Sequence, residues 1–159
     1  MVKEKKEATK SKVIKKEALP KATPSPKPKG RMPLAQCVGR RKKAIARVCL
    51  TRGSGKITVN GKQIKTYFDT DIDRTAAAFA FQVCPVSSNY DVLAKVQGGG
   101  KTSQADAVKL GIARALVHQD ETLRPLFRKY RMLTVDSRVK ERKKYGQKAA
   151  RRKFQFVKR

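Results

Sequence analysis

Residues 44–68, AIARVCLTRGSGKITVNGKQIKTYF, decide the fold. Apolar residues alternate with others through Ala44–Leu50, which is typical of a half-buried β-strand. Turn residues at Arg52–Gly55 separate this run from a second short strand, Lys56–Val59. Asn60-Gly61 then precedes the run Gln63–Phe68, and both turn residues tolerate the positive φ of a tight hairpin turn. The stretch therefore predicts β-strands joined by tight turns.

The segment after these strands has a helical period. Four apolar side chains in Asp73–Val83 recur at i, i+3, i+4 and i+7, which is one face of a helix: Ala76, Phe79, Ala80 and Val83. Asp73 at its start suits both an N-cap and the helix dipole. Cys84-Pro85 is expected to end the helix.

One more strand and two more helices are predicted downstream. Asp91–Gln97 alternates again and leads directly into the glycine run Gly98–Gly100. A second helix is expected over about residues 102–118, with Ser103 as its candidate N-cap. A short third helix over residues 122–130 would turn four side chains inward: Leu123, Leu126, Phe127 and Tyr130. This order of elements predicts a small two-layer α/β sandwich, with one layer of helices on a sheet.

The charge of the chain argues against several classes of protein. Its 159 residues include 40 Lys plus Arg against 12 Asp plus Glu, a formal net charge of +28. Such a charge would repel itself in a compact monomer unless a polyanion offset it, so a nucleic-acid partner is favoured over a stand-alone secreted enzyme.

The three cysteines form no CxxC pair and His118 is the only histidine, so no zinc site is predicted. We expect a soluble intracellular protein without membrane span or secretory signal.

The charge divides the chain into three segments. Residues 1–32 hold 11 basic and 3 acidic residues and are rich in Lys and Pro, which predicts a disordered basic extension; an organellar transit peptide is the alternative. Residues 33–137 have the turns and periodicities of a globular α/β domain, and their 18 basic against 8 acidic residues favour RNA as its partner. Residues 138–159 hold 11 basic residues and 1 acidic residue, with aromatic residues between them. This composition predicts an extended basic tail that follows a nucleic-acid backbone.

Neither of the glycine-lysine stretches RGSGKI (52–57) and VQGGGKTSQ (96–104) meets the requirements of a nucleotide-triphosphate loop. The motif needs a glycine five positions before its Gly-Lys, and Lys95 and Leu50 occupy those positions. Gly98–Lys101 nevertheless leads from a strand into a helix N-terminus, where free amides favour a phosphate of a polymer; a plain tight turn is the alternative. No catalytic constellation, metal site or cofactor is predicted, and the Asp69–Asp73 triplet lacks the glycine and glutamate of a calcium loop.

A basic cluster opens the folded part. The four adjacent cations of Arg40–Lys43 cannot all be buried, so they predict an exposed basic edge at the start of a strand. A nuclear-localisation signal is the generic alternative.

Four blocks of the sequence resemble the ribosomal small-subunit protein nine family, in its bacterial and organellar form. They are VGRRKKAIARVCLTRGSGKITVNGK (38–62), VQGGGKTSQADAVKLGIARAL (96–116), LRPLFRKYRMLTVDSRVKERKKYG (123–146) and QKAARRKFQFVKR (147–159). With the spacing between them they cover residues 36–159, about 78% of the chain. The resemblance implies a small α/β domain with a left-handed βαβ crossover, of the kind also found in part of ribosomal protein five.

The family resemblance also implies partners and site residues. The partners are small-subunit ribosomal RNA in the head of the subunit, peptidyl-site transfer RNA and neighbouring proteins of the head. Lys158 and Arg159 would contact the transfer RNA. The residues that would contact ribosomal RNA are Arg40, Arg41, Lys42, Lys43, Lys56, Gly98, Gly99, Gly100, Lys101, Lys143, Lys144, Lys148, Arg151, Arg152, Lys153, Phe154 and Phe156.

Two departures from the family pattern affect what the resemblance implies. Val157 replaces the serine of the usual Ser-Lys-Arg ending but leaves both cations, and the extension 1–32 is outside the common pattern. The expected location is the cytoplasmic ribosome, with an organellar ribosome left open. A free, non-specific nucleic-acid-packaging protein is the alternative function.

Overall fold

The computed structural model describes residues 32–84 and 89–158, which contain one five-stranded sheet and four α-helices. The strands are β1 (Ala35–Arg41), β2 (Ala44–Arg52), β3 (Ile57–Val59), β4 (Lys62–Gln63) and β5 (Tyr90–Gln97). The helices are α1 (Ile64–Tyr67), α2 (Asp71–Val83), α3 (Lys101–Gln119) and α4 (Arg124–Lys129), with a 3₁₀ turn at Glu121–Leu123. The predicted extension 1–32 lies outside the described residues except for Met32, as do Pro85 and Arg159.

The strand order across the sheet is β1-β2-β5-β3-β4. β1 and β2 form one antiparallel hairpin, β3 and β4 form another, and β5 lies between them, antiparallel to β2 and parallel to β3. The parallel pair requires a crossover, and the connection from β3 to β5 includes α1 and α2. The predicted βαβ crossover is therefore present, and its left hand stays a prediction.

The helices cover one face of the sheet, which confirms the two-layer α/β fold. Alternate residues of β2 and β5 are buried under them, including Val48, Leu50 and Val92. α3 packs against β1, β2 and α2 and is buried along most of its length, because its centre is rich in small and apolar residues. The opposite face of the sheet carries Arg47 and Lys95, which are directly opposite each other and exposed.

Two glycines set the distance between α3 and the sheet. A Cβ atom built on Gly39 of β1 would lie 1.9 Å from the carbonyl oxygen of Ala107 in α3. A Cβ atom on Gly111 of α3 would lie 2.5 Å from Val48 Cγ2 in β2. The helix and the strand therefore approach each other backbone to backbone, which only glycine permits at these two positions.

Several sequence predictions need correction. β1 was not predicted at all, since the charged Arg40 and Arg41 interrupt its β pattern. The run Gln63–Phe68 is wrong as an extended element, because after the two residues of β4 it forms the single turn α1. Local β propensity favoured the extended form there, but Phe68 is fully buried against the core at the end of α1.

The helix caps and one inward face also differ from the prediction. Thr70 is the N-cap of α2, and its hydroxyl accepts a hydrogen bond from the Asp73 amide at 3.4 Å. The predicted Ala80 is buried and the predicted Ala76, Phe79 and Val83 pack partly buried against the core. Ala77 is also buried, so the inward face is wider than predicted. Tyr130 is half-exposed, although its ring packs edge-on against Phe79 with 6.2 Å between the ring centroids.

Candidate nucleic-acid interface

The predicted basic cluster directly precedes β2, as expected, and it forms the tip of the hairpin between β1 and β2. Arg40 and Arg41 end β1, and the pairing of Arg41 with Ala44 leaves Lys42-Lys43 as a two-residue turn. Lys42 has φ 52°, a left-handed conformation that favours glycine. Arg40, Lys42 and Lys43 are exposed, so the hairpin presents three cations to solvent.

The glycine turn after β5 packs directly against this hairpin tip. Gly98 and Gly99 both have positive φ, at 73° and 63°. A Cβ atom on Gly98 would lie 2.5 Å from the carbonyl oxygen of Lys43, and one on Gly99 would lie 3.0 Å from Ala44 Cβ. The two sites that the sequence predicted separately are therefore adjacent. We call Arg40, Lys42, Lys43 and Gly98–Lys101 the hairpin–glycine surface.

Hydrogen bonds fix the glycine turn at the start of α3. The N-cap of α3 is Gly100, not the predicted Ser103, and no side chain caps the first amides. Lys101 Nζ donates to the Tyr67 carbonyl oxygen at 2.7 Å and lies 4.0 Å from the centroid of the Tyr67 ring. The Tyr67 hydroxyl donates to Gln104 Oε1 at 2.8 Å, and Gln104 Nε2 donates to the Gly98 carbonyl oxygen at 3.0 Å. The turn is thus held rigid, with the positive end of the helix dipole at the surface.

Arg41 has a different position from its neighbours in the cluster. Its side chain is only 17% exposed and forms ion pairs with Asp106 at 3.7 Å and Asp136 at 3.2 Å. It also donates to the carbonyl oxygen of Arg138 at 2.8 Å. The guanidinium therefore holds the start of the basic tail against the domain.

Asp136 is the carboxylate at the centre of this attachment. The Arg138 side chain donates to it at 2.7 Å and the Arg138 backbone amide donates at 2.9 Å. These hydrogen bonds, with the charges of Arg138 and Arg41, hold the pKa of Asp136 well below the ordinary aspartate value. Arg114 attaches the same segment, since its guanidinium donates to the carbonyl oxygens of Val38 at 3.0 Å and Leu133 at 3.2 Å.

Lys56 lies far from the hairpin–glycine surface. Its backbone amide and that of Ser54 donate to Asp91 Oδ1 at 2.9 Å and 2.8 Å, which places this turn at the start of β5. The glycine turn follows the end of the same strand. Eight residues at roughly 3.3 Å each separate the two by about 25 Å.

The basic tail contains no helix or strand between residues 138 and 158. Within it, Arg151 Nε donates to Glu141 at 3.0 Å, and Lys144 Nζ lies 3.8 Å from the same carboxylate. The Arg151 hydrogen bond lowers the pKa of Glu141. The tail therefore closes a local loop between residues 141 and 151.

The predicted cations and aromatic residues of the tail face solvent. Tyr145 is 98% exposed and Phe156 is 91% exposed. Phe154 is partly covered, since Lys148 Nζ lies 5.7 Å from the centroid of its ring. Exposed rings among cations are suited to stacking on nucleic-acid bases. The remaining predicted residues here, which are Lys143, Lys144, Arg151, Arg152, Lys153 and Lys158, are also exposed.

Sequence reasoning missed the residues that position the site. Arg114 contacts Val38 and Asp136 contacts Arg41, and each pair is more than 70 residues apart in the sequence. No local sequence pattern predicts such contacts. Arg47, which accompanies the basic cluster in the sequence, lies on the exposed sheet face, because the alternation of Ala44–Leu50 directs it away from the core. Among the described residues, no helix has the length and apolar character of a membrane span.

Comparison with known proteins gives a consistent result. The family model described as "Ribosomal protein S9/S16" matches residues 39–159. The small ribosomal subunit protein uS9 of Chlorobium chlorochromatii (strain CaD3) is 48% identical over 122 residues, which cover 77% of this chain and 95% of the relative. The protein of the same name from Cytophaga hutchinsonii is 45% identical over 128 residues, covering 80% of this chain and 100% of the relative.

A third relative, the small ribosomal subunit protein uS9 of Rhodopirellula baltica, is 50% identical over 121 residues, covering 76% of this chain and 88% of the relative. The matched residues include every strand from β2 onward, the hairpin–glycine surface and the basic tail. The chain belongs to the ribosomal protein S9/S16 family.

Proposed function

We propose that this chain is a structural, non-catalytic constituent of the small ribosomal subunit that binds ribosomal RNA in the subunit head. Its relatives are named as proteins of the small ribosomal subunit, which supports a place in that subunit. The net charge of +28 supports an RNA partner. The ribosome in question is cytoplasmic, with an organellar ribosome as the alternative location.

One observation carries the RNA-binding part of the proposal. The Lys42-Lys43 tip and the Gly98–Lys101 turn lie side by side, because both glycines pack against the hairpin backbone. The first amides of α3, which no side chain caps, begin at this turn, next to the hairpin with its three exposed cations. Amides and cations in this arrangement bind phosphate oxygens, which position an RNA helix without reading its sequence.

The basic tail extends this interaction beyond the domain. Its cations neutralise phosphates, and its exposed rings stack on unpaired bases. In this proposal Lys158 and Arg159 contact the phosphates of peptidyl-site transfer RNA, and neighbouring proteins of the subunit head complete the set of partners. Val157 removes a hydroxyl donor next to these cations but leaves both charges in place.

The hairpin–glycine surface is tested by the salt dependence of RNA binding. The double variant Lys42→Gln, Lys43→Gln removes two exposed cations at the tip and should lower the slope of log K against log salt by about 2. The matched control Lys65→Gln, Lys129→Gln removes two exposed cations from α1 and α4. Equal slopes for both variants on small-subunit head RNA would contradict the proposed surface.

Sedimentation through a sucrose gradient separates the two candidate functions. A ribosomal constituent should migrate with the small subunit at salt concentrations that remove loosely bound cationic proteins. A free packaging protein should leave the subunit at modest salt, and that result would overturn the ribosomal assignment.

A further inference from the structure

A second basic region lies at the C-terminal end of α3, away from the glycine turn at its start. It is a cleft of about 670 Å³ between β1, the C-terminal half of α3 and the segment that contains α4. Its basic lining consists of four arginines and a histidine: Arg114, His118, Arg124, Arg128 and Arg131. The glycine turn is at the opposite end of α3, about 25 Å away along the helix axis. The cleft is therefore distinct from the glycine turn, although Arg131 also lines a smaller adjoining pocket that contains Arg40, Asp106 and Asp136.

The floor of the cleft is apolar. It is formed by Cys37, Val117 and Leu133. Burial raises the pKa of the Cys37 thiol, so this side chain is neutral at pH 7. No carboxylate is among the described residues that line the cleft, and Glu121 outside it pairs with Arg124 at 3.1 Å. A ligand of this cleft therefore combines an apolar surface with negative charge.

Arg131 occupies a backbone conformation that normally favours glycine. α4 ends in a Schellman motif, in which the amides of Arg131 and Met132 donate to the carbonyl oxygens of Arg128 and Phe127, each at 3.0 Å. Arg131 is the left-handed residue of this motif, with φ 52°. An arginine is strained there, and its side chain lines the cleft. Local strain at a cation that lines a cleft points to a role in binding.

Arg114 provides a fixed guanidinium plane in the same cleft. Its two terminal nitrogens donate to the carbonyl oxygens of Val38 in β1 and Leu133 after α4. Because both hydrogen bonds lie within the chain, the plane is held before any ligand arrives. A held guanidinium plane is suited to stacking on an aromatic base.

We infer that this cleft binds one unpaired RNA nucleotide, with the base on the apolar floor beside Arg114 and the phosphate at Arg128 and Arg131. The inference rests on the proposed function, which supplies RNA as the partner. A volume of about 670 Å³ is within the range of small-molecule sites and admits a nucleotide with water. A flat base covers the apolar floor, whereas the carboxylate side chains of an acidic peptide would match the cations and leave the floor exposed.

The test follows the methyl resonances of Val117 and Leu133 by NMR in the full chain, because the basic tail also binds RNA and would obscure a bulk measurement. Penta-adenylate should shift both methyl resonances, and an abasic five-residue phosphate chain should not. Arg131→Gly should weaken penta-adenylate binding at these methyls about tenfold, since it removes a charge-assisted contact. It should not lower the melting temperature, because glycine suits this conformation. The matched control Lys129→Gln removes an exposed cation that does not line the cleft.

Three results would overturn the inference. They are methyl resonances that do not respond to excess penta-adenylate, an equal response to the abasic chain, and a stronger response to penta-glutamate, which would identify a protein-docking site. The proposed function has separate tests at Lys42 and Lys43 and in the sucrose gradient. If those succeed and the methyl test fails, only the nucleotide cleft is wrong.

Discussion

The substitution Gly39→Ala tests the close backbone approach of β1 to α3. The added Cβ atom would lie 1.9 Å from the Ala107 carbonyl oxygen and 2.6 Å from the Gly111 backbone nitrogen, whereas real Cβ contacts essentially never fall below 3.0 Å. Both neighbours are backbone atoms of α3, so the helix must move about 1 Å away from β1. That movement opens the interface that α3 forms with β1 and β2.

The expected loss is at the upper end of the overpacking range, about 3 kcal/mol. Alanine recovers about 0.5 kcal/mol by restricting the unfolded chain, which leaves a net loss of about 2.5 kcal/mol. For a domain of this size, we expect the melting temperature to fall by roughly 10–20 °C. Circular dichroism at 222 nm measures it. Gly100→Ala is the control for the same replacement without a clash, because a Cβ atom there meets nothing within 4 Å. As the N-cap of α3, Gly100 makes this control cost about 0.5–1 kcal/mol. If Gly39→Ala melted within about 3 °C of the control, the argument that glycine is required at this contact would be wrong.

Three further predictions concern the tail, the Asp136 attachment and the second hairpin. Deleting Lys158 and Arg159 should speed dissociation of peptidyl-site transfer RNA from programmed ribosomes and leave subunit assembly unchanged; an unchanged dissociation rate would refute the proposed contact. The carboxyl of Asp136 should titrate in ¹³C NMR below the ordinary value of about 3.9, and Arg138→Gln should raise its midpoint. Because the pKa of Asp136 is lower in the folded state than in the unfolded state, its pairing with Arg138 stabilises the fold at neutral pH and weakens as the pH falls below about 4. A titration midpoint that Arg138→Gln leaves unchanged would contradict this. The Asn60 side chain exchanges two hydrogen bonds of 2.9 Å with the Val96 backbone, so Asn60→Gly should cost about 2 kcal/mol in urea unfolding, and a variant as stable as the wild type would show that these bonds contribute nothing.

The sequence predicted the elements that depend on helical periodicity and on turn residues. α3 extends one residue beyond the predicted span at each end, and Asn60-Gly61 forms the expected hairpin turn, with φ values of 49° and 79°. β1 could not be predicted this way. Its position depends on Gly39, which weakens a strand pattern locally but allows α3 to pack against it.

The candidate site shows the same division. The cations of the hairpin and the glycine turn were each evident in the sequence, yet their adjacency depends on the pairing of Ile45 with Gln97 across two strands. The different position of Arg41 was not evident either, because its partners Asp136 and Arg138 are almost 100 residues away. The nucleotide cleft draws its arginines from three separate segments, so no single stretch indicates it.

The attachment of the tail by Arg41 and Arg114 has a geometric consequence. Because the start of the tail is attached to the domain, the number of residues in the tail sets how far its end can extend from the domain. The 21 residues from Arg138 to Lys158 can span at most roughly 70 Å when fully extended. The loop closed by Glu141 and Arg151 shortens this reach, since it brings together two points ten residues apart. Each residue removed from the extended part of the tail would bring its end about 3.3 Å closer to the domain. The length of this segment therefore limits which sites its charges can contact.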